Sequence, residues 1–115
     1  MAGVGIDLLE IARLERALER RPGLAKRLFT DAELDHASVR ARPGRHLAAR
    51  FCAKEAVVKA LRLDCVPWQE IEVVNDDAGA PRVRLAGSLA GHDGTVLVSL
   101  THSDTMAGAV AFVGQ

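Results

Sequence analysis

The sequence predicts an α+β fold, with helices in the N-terminal half packed on a small antiparallel sheet built from the C-terminal half. Apolar residues recur at helical spacing up to about residue 62 and alternate with polar ones beyond it. Arg21-Pro22-Gly23 and Arg42-Pro43-Gly44 break the first half, and Asn75-Asp76-Asp77-Ala78-Gly79 is turn chemistry between two alternating runs. Helical segments first and hairpins later mark an α+β chain rather than a parallel one. With 115 residues the chain has the length of one domain, 1–115. A core of that size is modest, so association with other copies would strengthen it.

Each element has its own signal. Val4 to Asp7 reads as a very short strand. Leu8 to Arg20 reads as a helix, because Ile11, Leu14 and Leu18 share one face while Arg13, Arg16 and Arg20 cluster nearly opposite. Pro22 and Gly23 end it. Thr30-Asp31-Ala32-Glu33 has capping-box spacing, so a helix starts there and runs to about Val39. The longest helix is expected over Arg45–Arg62, with Leu47, Phe51, Val58 and Leu61 as its stripe and Glu55 and Lys59 on one flank. Ile71 and Val73 then alternate with Glu70 and Glu72, and Val83 and Leu85 with Arg82 and Arg84, which makes a hairpin. Thr95–Leu100 and Ala107–Val113 form a second pair of strands around Thr101-His102-Ser103-Asp104-Thr105.

Fifteen basic and fifteen acidic side chains cancel overall, which excludes a generally basic nucleic-acid wrapper. The cancellation is uneven. Residues 1–62 carry thirteen Lys/Arg against eight Asp/Glu, and residues 63–115 carry two against seven, so the first half suits an acidic ligand. No Tyr, one Trp and three Phe leave no base-stacking platform. No run approaches the roughly 18 apolar residues of a membrane span, and the start lacks the pattern of a secretory signal. Cys52 and Cys65 match neither a zinc site nor a disulfide framework, so reduced thiols and a cytoplasmic location are expected, with Cys52 packed in a helix.

Three places set polar groups in apolar surroundings: Asp7 in Gly5-Ile6-Asp7-Leu8, Glu55 and Lys59 in the long helix, and His102 in Ser99-Leu100-Thr101-His102-Ser103. Singly, each has an ordinary explanation. Asp7 could be the N-cap of the first helix, worth about 1 kcal/mol. Glu55 and Lys59 could be an i,i+4 ion pair worth about 0.2–0.5 kcal/mol. His102 could be a hydrogen-bonded loop residue.

Together, G-I-D-L-L-E-I at the start, R-F-C-A-K-E-A-V-V-K-A in the middle and V-S-L-T-H-S near the end resemble the holo-[acyl-carrier-protein] synthase family of small 4′-phosphopantetheinyl transferases, from Val4 to Val113. The resemblance implies transfer of the 4′-phosphopantetheine arm of coenzyme A to a serine of apo acyl carrier protein, releasing adenosine 3′,5′-bisphosphate. It implies Mg²⁺ held by Asp7 and Glu55, a hard cation whose remaining oxygen ligands are waters and phosphates. Glu55 matches the general base, directly or through water, and Lys59 the group that contacts phosphate and supports the leaving group. Asp7, Glu55 and Lys59 are thus the catalytic candidates. Arg42, Arg50, Lys59, Thr101 and His102 are the candidates for binding the coenzyme, arginine being suited to phosphate by its planar fork. The face of Arg13, Arg16 and Arg20 resembles the basic helix that docks acidic carrier proteins, with Arg16 placed there by helical geometry alone.

The resemblance also implies a homotrimer with active sites between subunits, in which Asp7 and His102 could come from one chain and Glu55 and Lys59 from the next. Four short apolar strands would leave faces or edges for a neighbour to cover. Two departures stand out. Where many relatives have Gly-Thr-Gly after the long helix, this chain has Leu61-Arg62-Leu63-Asp64-Cys65, and Ala80 stands where a Lys is frequent, so that Arg82 is the candidate replacement. The competing reading is a non-enzymatic module that binds carrier protein or nucleotide, with a degenerate metal site.

Overall fold

A central helix sets the plan of the molecule. The computed structural model describes residues 2–114. Strand β1 (Gly3–Glu10) leads into α1 (Ile11–Arg20), α2 (Leu24–Leu28), α3 (Asp31–Ser38) and the 19-residue α4 (Pro43–Leu61). After a 3-10 turn come β2 (Ile71–Asn75) and β3 (Pro81–Leu85), then a second 3-10 turn, β4 (Val96–His102) and β5 (Met106–Val113).

Helix α4 is buried on nearly every side. Ala48, Cys52, Ala53, Ala56, Val57 and Ala60 are all fully covered. Small side chains there let other elements come close, and the predicted stripe of Leu47, Phe51, Val58 and Leu61 is only part of what it buries. Pro43 occupies its first turn, where no intrahelical amide is needed.

The strands form two antiparallel sheets rather than one: a three-stranded sheet in the order β1-β5-β4 and a separate β2-β3 hairpin. Asp76 accepts hydrogen bonds from the amides of Ala78 (3.0 Å) and Ala80 (2.9 Å) to build the hairpin turn, with Gly79 at φ 88°. The capping box forms as read: Thr30 accepts from the Glu33 amide and Glu33 from the Thr30 amide.

Two expectations need correcting. Strand β1 is eight residues long and helix α1 begins at Ile11 with Glu10 as its N-cap. Asp7 therefore sits inside a strand, paired with Ala109, and the capping reading fails. Helical spacing at Leu8 and Leu9 gives way to a full ladder with β5, since tertiary pairing overrides local periodicity. Helix α2, five residues long, was not expected from the sequence.

Candidate active site

Two glycines bring the candidate residues together. A Cβ at Gly3 or Gly5 would run into the carbonyl oxygens of Ala60 and Ala56, so β1 lies directly on α4 only because both positions lack a side chain. With period two, Asp7 follows Gly3 and Gly5 on the helix-facing side, while Val4, Ile6 and Leu8 point the other way, each at least 65% exposed. Asp7 is thereby placed over the ridge of α4 that carries Cys52, Glu55 and Lys59, spaced one turn apart.

Lys59 reaches across to β1. Its Nζ donates to the Ile6 carbonyl at 2.8 Å and lies 3.5 Å from Asp7 Oδ1. Lys59 and Glu55 form no ion pair within 4.0 Å among the described residues, so the i,i+4 pair gives way to a strand-to-helix one. Asp7 and Lys59 meet within one chain, which overturns the expected division of these residues between subunits. Glu55 is half-buried, and burial followed by the charge of Asp7 pushes its carboxyl above the usual range, against a smaller opposing pull from Lys59. The thiol of Cys52, buried as expected, donates to the Ala107 carbonyl at 3.5 Å, and burial with Asp7 beside it pushes it up to about 12. It stays a neutral thiol and takes no nucleophilic part.

Lys54, in the same sequence motif, points away from this site. Its Nζ is fully buried, 2.7 Å from Glu33 Oε1 and 2.8 Å from the carbonyls of both Leu28 and Trp68. Glu33 Oε2 in turn accepts from the Val73 amide at 2.8 Å. Lys54 thus pins α2, α3, the turn before β2 and the hairpin to the central helix.

The remaining candidates separate into three locations. Arg50 and His102 line a cavity of about 240 Å³ between α3, α4 and the end of β4. His36, Arg40 and His46 join them there, and sequence reading missed all three because no local pattern marks them. Arg42 does not line it. Its guanidinium pairs with Glu15 of α1 (2.9 and 3.2 Å) and donates to the Asp104 carbonyl at 2.6 Å, a contact that ties α1 to the start of α4. Thr101 alternates to the other face of β4 from His102 and borders Leu8, Gly108 and Val110 on the exposed face of the sheet. Arg13, Arg16 and Arg20 are all exposed along α1, as read.

Of the two departures, the first sets a side chain in a glycine-like conformation. Arg62, the C-cap of α4, takes the left-handed conformation usual for glycine, with φ 58° and ψ 44°, and exposes its side chain. At the hairpin, Gly79 and Pro81 border the cavity and Arg82 does not.

A three-stranded sheet wrapped on one small-residue helix, with two carboxylates and a lysine converging where the strand crosses it, is the arrangement of a small phosphoryl-group transferase. Residues 3–111 match the model of the 4′-phosphopantetheinyl transferase superfamily. A holo-[acyl-carrier-protein] synthase of Moorella thermoacetica is 48% identical over 98% of this chain and 94% of its own length. Among solved structures, that of the acyl carrier protein synthase of Mycobacterium tuberculosis is 42% identical, covers 97% of this chain and 96% of that one, and superposes with a TM-score of 0.76. The Chronobacterium ammoniagenes ACPS–CoA complex is 28% identical, with 98% and 96% covered and a TM-score of 0.85. The chain belongs to the 4′-phosphopantetheinyl transferase superfamily and, within it, to the holo-[acyl-carrier-protein] synthases.

Proposed function

We propose that residues 1–115 act as one transferase domain that moves the 4′-phosphopantetheine arm of coenzyme A to a serine hydroxyl of apo acyl carrier protein. The reading rests on the convergence of Asp7, Glu55 and Lys59 where β1 crosses α4. Two carboxylates close enough for one to raise the other, with oxygen as the only donor type, fit Mg²⁺. Two protein ligands suffice, because Mg²⁺ keeps waters and substrate phosphates as the rest of its shell. Asp7 and Glu55 would hold it, and when bound it neutralises charge developing on the pyrophosphate.

The chain's own residues have distinct tasks. Glu55 accepts the proton of the attacking serine, and its raised carboxyl value brings it closer to the pH at which a base works best. Lys59 carries a positive charge on a long stem, held at the strand edge by the Ile6 carbonyl, from which it can turn to the leaving phosphate. Asp7 keeps that charge beside the reacting phosphorus.

The assembly is a homotrimer in this reading. Val4, Ile6 and Leu8 of β1, Leu97 of β4 and Phe112 of β5 are each at least half exposed and make one face of the sheet apolar. An apolar face this continuous calls for cover by other copies of the chain. Thr101 lies on it and would meet the neighbouring subunit's share of the site. The location is the cytoplasm, where the thiols of Cys52 and Cys65 stay reduced.

The test incubates the protein with Mg²⁺, coenzyme A and an apo carrier, and follows the carrier by intact mass. Gain of one phosphopantetheine supports the transferase, and no gain on any carrier tried leaves only the binding module. Light scattering should return three times the chain mass. Arg13→Glu should weaken carrier binding more than coenzyme A binding, as the exposed arginine face of α1 requires, and equal weakening would remove that face from docking.

A further inference from the structure

Helix α1 is anchored at few points for the load its exposed face carries. Of its ten residues only Ile11 and Leu14 are buried, both in the first half, while Arg13, Arg16 and Arg20 are exposed. A helix this short does not hold its place unaided. A polar tie at Glu15 supplements those two side chains. Arg42, the N-cap residue of α4, donates from Nη2 and Nε to the two carboxylate oxygens of Glu15, at 2.9 and 3.2 Å, and from Nη1 to the Asp104 carbonyl at 2.6 Å. One guanidinium thus joins α1, the start of α4 and the turn between β4 and β5. Its two-pronged grip on the carboxylate separates this pair from ordinary surface ion pairs, which contribute little.

The surroundings make room for that bridge. A Cβ at Gly44 would run into Cγ, Cδ and Oε2 of Glu15, so α4 lacks a side chain at the point where the carboxylate lies. Hydrogen bonding from Arg42 holds the Glu15 carboxyl below the usual range, against a smaller opposing effect of burial. The turn is also fixed without Arg42. Ser103 Oγ accepts from the amides of Thr105 (3.3 Å) and Met106 (3.0 Å), and the Thr105 carbonyl accepts from the Ile11 amide at 2.9 Å. That last bond satisfies one of the free amides at the start of α1. The helix is therefore tied to the turn twice, directly at Ile11 and through Arg42 at Glu15, about one helical turn further on. One tie would fix only its position, whereas two ties a turn apart also fix its direction.

We propose that Glu15 and Arg42 are positioning residues for the transfer reaction: their bridge fixes the direction of α1, so that a carrier protein held by Arg13, Arg16 and Arg20 brings its serine in line with the reacting phosphorus. This role rests on the transferase reading above and on the docking face of α1. It gives Arg42 a task other than contact with the coenzyme, and Arg42 is absent from the cavity that Arg50 and His102 line. Because the bridge touches neither substrate, its effect falls on geometry rather than on affinity. Without it the three arginines stay exposed and still hold the carrier, but the serine arrives off line. Transfer between two bound partners is sensitive to displacements of about 1 Å.

Steady-state transfer by the full chain, with Mg²⁺, coenzyme A and an apo carrier, tests this in Glu15→Gln, Arg42→Gln and the double variant, each assayed well below its melting temperature. Each should lower kcat about three- to tenfold, with the carrier KM and the affinity for coenzyme A within about twofold of the unaltered protein. The double variant should lose no more than either single one, because both remove the same bridge. Gly44→Ala displaces the Glu15 carboxylate and leaves both charged residues in the chain, so it should reproduce the loss of kcat and add nothing to Glu15→Gln. An unchanged kcat, losses that add, or a rise in carrier KM as large as the fall in kcat would overturn the positioning role alone. Weaker coenzyme A binding in Arg42→Gln but not in Glu15→Gln would overturn it in favour of direct contact with the coenzyme. Absence of transfer by the unaltered protein would overturn the transferase reading with it.

Discussion

Lys54 and Glu55 are neighbours on one helix, yet they belong to different worlds. Lys54 turns into the protein, where Glu33 and two carbonyls meet its charge and no water reaches it. Glu55 turns toward β1, half-buried, facing a second carboxylate and lacking an ion-pair partner within 4.0 Å among the described residues. The first environment satisfies its charges and serves stability. The second leaves its charges in tension and serves chemistry, since an unsatisfied pair of carboxylates is what a cation and a serine proton relieve. Period sets the division, because residues one apart on a helix point about 100° away from each other.

The contrast can be broken from either side. Glu55→Gln should lower transfer about 10²–10⁴-fold while the melting temperature of the metal-free protein holds or rises, because the variant removes a carboxylate that the fold disfavours in its charged form. Parallel loss of activity and melting temperature would put Glu55 among the structural residues instead. Lys54→Ala should cost about 3–5 kcal/mol by stranding Glu33, read by denaturant unfolding, and a loss below about 1 kcal/mol would contradict the pinning role. Gly5→Ala forces β1 off the Ala56 carbonyl and should cost about 1–3 kcal/mol. It should also lower transfer in protein that remains folded, because Asp7 moves with the strand.

The smallest effect concerns His36. Burial, then the charges of Arg50, Arg40 and His46, hold its ring down to about 4, below the ordinary 6.5, so the unfolded chain binds the proton more readily. Stability from this residue is present above pH 6.5 and is lost as the pH falls from there toward 4. His36→Gln should therefore flatten the decline of melting temperature over that window, and an unchanged slope would remove His36 from it.

Much of this architecture was legible in the residues themselves. Thr30 and Glu33 announced a cap, Asn75 to Gly79 a hairpin, and the spacing of Leu47, Phe51, Val58 and Leu61 a helix. The motifs around Asp7, Glu55 and Lys59 selected the residues that the fold brings together. Residues 8 to 10 misled, because a ladder with β5 some hundred positions away decides their conformation. Glu33 showed its capping role but not its buried partner, since burial is a property of the assembled layers. The cluster of His36, His46 and His102 was invisible for the same reason: its members come from α3, α4 and β4 and share no local pattern.

Strand β1 carries two messages in eight residues. Gly3, Gly5 and Asp7 address the helix, and Val4, Ile6 and Leu8 make the outer apolar face. Inserting or deleting a single residue after Gly3 would exchange the two sets, driving isoleucine into the helix backbone and delivering a carboxylate to the outer face. Loop insertions elsewhere in the chain can accumulate gradually, but here reaction chemistry and surface are interleaved one for one. Strand β1 can therefore change by substitution on its outward face and not by length after Gly3.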